Sequence, residues 1–185
     1  MTNLANSGQF AAGLYNTAFP SVVENGEKGD ILLLECAYND RNYSTREEMT
    51  FCVKEMIRRC REKGIEPILV TPNASEHDYK PEVVWTSYLK DIAVDTECKL
   101  IDLSGKSYEL LKELYGDNEN HVITKNFNLT EVGGDNLHSS RAGAYVWASV
   151  VAQGMKDLGY GDWMNTEFEY SFTDTEGHEI NAKVK

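Results

Sequence analysis

Basic side chains are scarce in this chain: 18 Lys and Arg stand against 30 Asp and Glu, for a net charge of −12. Phosphate backbones and anionic lipid repel such a chain and reward clustered Lys and Arg, so the composition argues against nucleic acid and membrane as partners. Long apolar runs are missing too. None approaches the roughly 18 residues that a membrane-spanning helix needs, and residues 1–20 have neither the basic start nor the apolar centre of a signal peptide. With Met1 as the natural start the protein is expected in the cytoplasm, and otherwise secreted. Cysteine is sparse, at 4 residues. Cys52 and Cys60 stand eight apart on one helix-like run, about 12 Å at 1.5 Å per residue, which is beyond disulfide reach. Cys36 and Cys98 lie in or beside apolar segments. Buried free thiols are the expectation, and no spacing suggests zinc or another metal. No strand-to-helix turn carries a Gly-x-Gly-x-x-Gly or P-loop phosphate cradle, which disfavours a nucleotide or flavin cofactor. Repeats and low-complexity segments are also lacking.

What is present suits a globular chain: 185 residues with 41% hydrophobic and 10% aromatic content can bury a real core. Residues 1–8 read as a short strand ending at Gly8. Phe10, Leu14, Ala18 and Val22 have helical spacing over residues 9–24, weakened by Gly13 and Pro20. After the Asn25–Asp30 turn, Ile31–Leu34 is an unbroken apolar run, as in a parallel strand covered on both faces. Thr45-Arg46-Glu47-Glu48 forms a capping box, in which the Thr45 hydroxyl accepts from the Glu48 amide and Glu48 reaches back to the Thr45 amide. The helix behind it places Met49, Val53, Met56, Ile57 and Cys60 on one face and stops at Gly64. Ile65–Val70 is the next strand, Glu82–Val94 a helix, Lys99–Leu103 a strand, and Ser107–Tyr115 a helix. A polar loop from Gly116 to Val132 leads to a last helix at Ala142–Leu158. Phe168, Tyr170 and Phe172 alternate with polar residues, as do Ile180, Ala182 and Val184. With Asp174–Gly177 between them they read as a β-hairpin, which must pack on something to be stable. The β-α alternation predicts an α/β fold: a three-layer α/β/α, doubly wound parallel sheet, with ligands beyond the carboxyl ends of its strands.

Just before the last helix runs Gly133-Gly134-Asp135-Asn136-Leu137-His138-Ser139-Ser140. A neutral imidazole takes a proton from a hydroxyl near pH 7, and a carboxylate beside it fixes the tautomer and stabilises the imidazolium. Asp135 and His138 supply such a pair, although Asp-x-x-His alone is more often a solvated loop or a cap than a catalytic pair.

Three polar corners fall at strand ends on one side of the expected sheet: Asn6-Ser7-Gly8, Tyr38-Asn39-Asp40 and Asp135-Asn136-Leu137-His138. Together with Gly29-Asp30 entering the Ile31–Leu34 strand, they resemble the second, third and fifth sequence blocks of the SGNH (GDSL) hydrolases, in particular the rhamnogalacturonan acetylesterase-like branch. The likeness spans residues 3 to about 158. It implies a flavodoxin-like SGNH hydrolase fold and an ester hydrolase that removes short acyl groups from a pectin-type polysaccharide. By that likeness His138 is the catalytic base and Asp135 its orienter, while the Gly8 amide and the Asn39 side chain form the oxyanion hole. The plainer readings are turn geometry for Gly8, a strand-end cap for Asn39 and a surface loop for His138. Tyr38, Trp85 and Trp147 could stack on sugars, with core packing the plainer role. Acyl-serine chemistry needs neither metal nor cofactor.

The departure is the nucleophile. Nowhere does Gly-Asp-Ser occur: Gly29-Asp30 precedes Ile31, Gly134-Asp135 precedes Asn136, and Gly161-Asp162 precedes Trp163. Ser7, Ser139 and Ser140 are poor substitutes, since each sits at a capping position or beside the base. Ala37 also stands where the family has Gly. The first strand and its serine would lie ahead of Met1, so residues 1–160 are expected to be an N-terminally incomplete SGNH hydrolase-like domain and residues 161–185 a hairpin tail. That first strand is interior in the family, so its loss leaves unpaired edges. The expected partners are therefore an acylated small-molecule or polysaccharide substrate, and a second copy or upstream polypeptide supplying the strand. The rival reading is a catalytically silent SGNH-like module that binds carbohydrate or mediates assembly.

Overall fold

The helical spacing over residues 9–24 becomes two helices, α1 (Ala11–Asn16) and α2 (Phe19–Asn25). Asn16 and Thr17 end the first by donating their side chains back to the carbonyls of Ala12 and Gly13. Pro20 then sits in the first turn of the second, where its missing N–H costs nothing. The structure, a computed structural model, describes residues 2–74, 84–116, 138–165, 167–174 and 177–185. These form two compact units. One comprises residues 2–72 and 84–101, and the other residues 73–74, 102–116 and those from 138 onward.

In the first unit β1 (Ile31–Glu35) pairs in parallel with β2 (Glu66–Val70), and β2 with β3 (Lys99–Ile101). Leu33 lies opposite Ile68, and Ile68 opposite Lys99. A one-turn helix, α3 (Asp40–Tyr43), follows β1. The parallel crossovers are α4 (Arg46–Lys63) and α5 (Val84–Asp95). Thr45 accepts the Glu48 amide at 3.1 Å, and Gly64 closes α4 at φ +77°. The capping box is half formed, because the Glu48 carboxylate accepts from the Ser44 hydroxyl instead of the Thr45 amide. Met49, Val53, Met56, Ile57 and Cys60 are at most 1% exposed. Each such burial contributes about 1.5–3 kcal/mol against chain entropy.

Two expectations need correction here. Residues 2–6 form no strand and are exposed, because a strand needs a partner ladder and none of the described residues provides one. β1 is also not covered on both faces: Leu33 is 40% exposed and Glu35 is exposed beside it, while Leu34 between them is buried. Only β2, the middle strand, is buried nearly throughout. Among the described residues no strand pairs with the other edge of β1.

In the second unit α6 (Leu103–Tyr115) starts at Asp102, whose carboxylate accepts from the Gly105 amide at 3.0 Å. The next helix, α7 (Arg141–Met155), starts at Ser140, whose hydroxyl accepts from the Gly143 amide at 3.0 Å. It ends sooner than its apolar pattern suggests. A π-turn (Lys156–Tyr160) follows, with Gly159 at φ +90°. The hairpin is as expected, with β4 (Glu169–Thr173) antiparallel to β5 (Glu179–Lys183) and Phe172 opposite Ile180. β5 packs on α7 with Ile180 and Ala182 buried, and Tyr170 lies 4.4 Å from the Tyr145 ring centre. The α/β class thus holds, with a parallel three-stranded sheet and a C-terminal antiparallel hairpin.

Candidate functional site

The polypeptide leaves the C-terminal end of β1 through Cys36 and Ala37 and turns at Tyr38-Asn39. Asn39 precedes α3 with helical backbone angles and makes no capping hydrogen bond from its side chain to that helix. Its Nδ2 instead donates to the Gln9 carbonyl at 3.0 Å, 30 residues back in sequence. The chain around Gly8 and the Asn39 carboxamide are therefore neighbours. Gly8 occupies an exposed turn at φ +73°, and a Cβ there would touch nothing within 4 Å. The backbone angle, not crowding, is what asks for glycine. No described group accepts from its amide. One N–H of Asn39 is spent on Gln9 and fixes the carboxamide plane. The other N–H and the Gly8 amide are the type of donors that stabilise a developing oxyanion.

The sequence reading gave no role to the residue that ties this corner together. Asp40 is fully buried. Its carboxylate accepts from the Ala11 amide at 3.0 Å and from the Ala37 amide at 3.0 Å, clamping the start of α1 to the loop after β1. Burial pushes the Asp40 carboxyl above its ordinary value, and the backbone amides of Ala11, Ala37 and Asp40 pull it back. Ala37 has φ +88°, a left-handed backbone that suits glycine and strains any residue with a Cβ. Beside it, burial first and the Asp40 carboxylate second raise the Glu35 carboxyl to about 7. Solvent reaches Glu35 at the open face of β1, and this water offsets part of that rise. Cys36, Cys52, Cys60 and Cys98 are free and buried, as expected. Burial also raises the Cys36 thiol, which makes it a poor thiolate nucleophile.

In the second unit His138 is exposed, just ahead of the Ser140 cap of α7. Asp135, its expected orienter, lies outside the described residues, as does the rest of Gly133–Leu137. Ser140 is committed to the helix cap, and Ser7 is exposed in the Gly8 turn. Trp147 is core, at 5% exposure. Trp85 is partly buried against the core, while Tyr38 is half-buried. A His–carboxylate pair that the sequence reading missed closes the hairpin: His178 Nδ1 lies 2.9 Å from Asp174 Oδ2, and the His178 amide donates to Asp174 Oδ1 at 2.8 Å. Its signal was the four-residue spacing around the Gly177 turn. The bonds go to the turn's own backbone and ring, so the pair locks the hairpin.

The described residues thus combine an α/β fold with a parallel sheet and an Asn-Asp corner that meets a glycine turn at the end of the first described strand. No family model matches the chain. It is 32% identical over 146 residues to the probable rhamnogalacturonan acetylesterase YesY of Bacillus subtilis (strain 168), covering 72% of this chain and 65% of YesY. To rhamnogalacturonan acetylesterase RhgT of the same organism it is 28% identical over 157 residues, 75% of this chain and 66% of RhgT. To the uncharacterized esterase YxiM, also from that organism, it is 28% identical over 168 residues, 85% of this chain and 42% of YxiM. The crystal structure of YxiM matches with a TM-score of 0.73 at 25% identity, over 85% of this chain and 45% of that one. These similarities accord with the likeness to the SGNH/GDSL hydrolases, in the rhamnogalacturonan acetylesterase-like branch. The chain spans from 42% to 66% of the length of these relatives.

Proposed function

We propose that this chain supplies the acid–base and oxyanion-stabilising half of a carboxylic ester hydrolase that deacetylates a pectin-type polysaccharide, with the attacking serine coming from outside these residues. The observation that carries the reading is the 3.0 Å bond from the Asn39 carboxamide to the Gln9 carbonyl, which sets two candidate oxyanion donors at one corner. The names of YesY and RhgT supply the substrate class.

In this chemistry the serine hydroxyl attacks the acetyl carbonyl while His138, oriented by Asp135, takes its proton. The carbonyl oxygen becomes an oxyanion that accepts from the Gly8 amide and Asn39 Nδ2. Collapse expels the sugar oxygen, which takes the proton back from His138. Water then repeats the sequence on the acyl-serine and releases acetate. No cofactor or metal enters any step.

The strand that would carry the serine has a place to dock. β1 is paired on one side only among the described residues, and its C-terminal end leads directly into the Asn39 corner. The donor is a second copy of the chain or an upstream polypeptide.

The test is to fuse the family's first strand and its Gly-Asp-Ser loop ahead of residue 1, then to assay p-nitrophenyl acetate and acetylated rhamnogalacturonan. Turnover is expected in the fusion, with His138→Ala losing on the order of 10⁴-fold or more and Asn39→Ala roughly 10²–10³-fold. The missing Gly-Asp-Ser favours a second reading, a silent module that binds carbohydrate. A folded fusion that binds the polysaccharide and releases no acetate supports that reading instead.

A further inference from the structure

The two strands of the C-terminal hairpin are unlike. β5 sinks Ile180 and Ala182 into the packing against α7, at 3% and 0% exposure. Their partners on the same face of β4, Phe172 and Tyr170, stay half-buried. Tyr170 leans on the Tyr145 ring, and Phe172 stands 6.0 Å from Tyr170, centre to centre. Among the described residues β4 pairs with β5 alone, so its outer edge carries a row of backbone N–H and C=O groups with no ladder. Exposed edges are usually blunted by Lys, Pro, a bulge or an inward charge. Glu169-Tyr170-Ser171-Phe172-Thr173 has none of these and runs in unbroken register with β5. Its aromatic and β-branched residues favour strand pairing.

Charge and order both suit this edge to pairing. The one charge on β4, Glu169, faces Lys183 across the hairpin at 3.7 Å, which leaves the strand nearly neutral in a chain of net charge −12. The hairpin is tied at both ends. His178 meets Asp174 at 2.9 Å beside the turn, and at the open end the Lys185 amide donates to Gln153 Oε1 of α7 at 2.7 Å. A strand already held in place loses little freedom when another joins it. Its sequence is also self-complementary. An antiparallel two-fold contact centred on Ser171 sets Ser171 against Ser171, Tyr170 against Phe172 and Glu169 against Thr173 of the second copy. Aromatic residues then face each other on adjacent strands, and no like charges stand opposite. The same operation on β5, centred on Asn181, would match Glu179 with Lys183. It would gain only exposed ion pairs, which contribute little, because the apolar side chains of β5 are already buried.

We propose that β4 is a self-association edge: two copies of the chain join their hairpins into one four-stranded antiparallel sheet, in the order β5-β4-β4-β5, about a two-fold axis at Ser171. The half-buried rings of β4 are covered by the second copy. Five residues a side make a small contact beside a standard interface of about 1,600 Å², so the dimer is weak, half associated at roughly 10–100 µM. It draws on no feature of the acyl corner and stands apart from the ester reading.

The test is analytical ultracentrifugation of the 185-residue chain over about 5–500 µM, with circular dichroism to show that each variant is folded. The unaltered chain is expected to pass from the mass of one copy towards that of two. Ser171→Lys sets two like charges opposite each other at the axis and is expected to weaken the dimer at least about tenfold. Asn181→Lys makes the same charge change on the same exposed face one strand away, where the two charges are further apart and screened, and is expected to leave the dimer nearly unchanged. Ser171→Thr keeps it. A chain that stays monomeric throughout overturns the proposal, as does a dimer that persists in a folded Ser171→Lys variant. A dimer lost in Asn181→Lys alone assigns the contact to β5, and one lost only in Leu33→Lys assigns it to the open edge of β1. Either result overturns the β4 interface.

Discussion

At the scale of single residues, Ala37 is one of two described non-glycine residues with a left-handed backbone, the other being Glu97 at φ +50°. Ala37 holds φ +88°, a backbone that suits glycine. A Cβ in that region costs about 1–2 kcal/mol, against which stands the packing of one buried methyl group. Ala37→Gly is expected to stabilise the chain by about 1 kcal/mol, raising the thermal midpoint by roughly 2–4 °C for a chain of this size. Calorimetry on the two proteins checks it, and a lower midpoint would mean that the methyl contact outweighs the strain. Gly8, Asn39 and His138 are proposed from the sequence because a candidate base or oxyanion donor is read from residue identity and short motifs. The value of Asp40 could not. Its burial and its bond to Ala11 depend on a contact 29 residues away, which no local pattern reveals.

At the scale of elements, the sequence was most readable where structure is set locally. Thr45 and Gly64 bound α4 because a cap and a left-handed glycine act within one turn. The tail hairpin was legible from its alternation and from its turn residues. The expected strand at residues 1–8 was not realised because strands are made by their neighbours. The single helix over residues 9–24 was split by side-chain bonds from Asn16 and Thr17 that spacing alone does not encode.

The open face of β1 also has a pH signature. Glu35 has its carboxyl raised to about 7, from an ordinary 4.5, by burial first and the Asp40 carboxylate second. Folding therefore favours the protonated form. Its contribution is complete below about pH 4.5 and is lost as pH rises through about 7. Because Glu35 keeps solvent contact at the open face of β1, its burial is incomplete and screening holds the effect to about 1 kcal/mol or less. Urea midpoints at pH 5 and pH 8 should differ more in the parent than in Glu35→Gln. Parallel pH dependence in the two proteins would remove Glu35 as the source.

At the scale of the whole molecule, composition and strand order made the α/β class readable, and three polar corners pointed to the kind of acetylesterase that the comparisons then found similar. The attacking residue was never legible, since no Gly-Asp-Ser occurs in the sequence and the described serines near the corners serve turns and caps. The central claim is that base and oxyanion donors reside in this chain while the nucleophile does not. The most direct measurement is fluorophosphonate labelling, located by peptide mass spectrometry, of the chain carrying the family's first strand ahead of residue 1. The expected result is one labelled serine, that of the added Gly-Asp-Ser, with labelling suppressed by His138→Ala. Label on Ser7, Ser139 or Ser140, or none on the added serine of a folded protein, would contradict it.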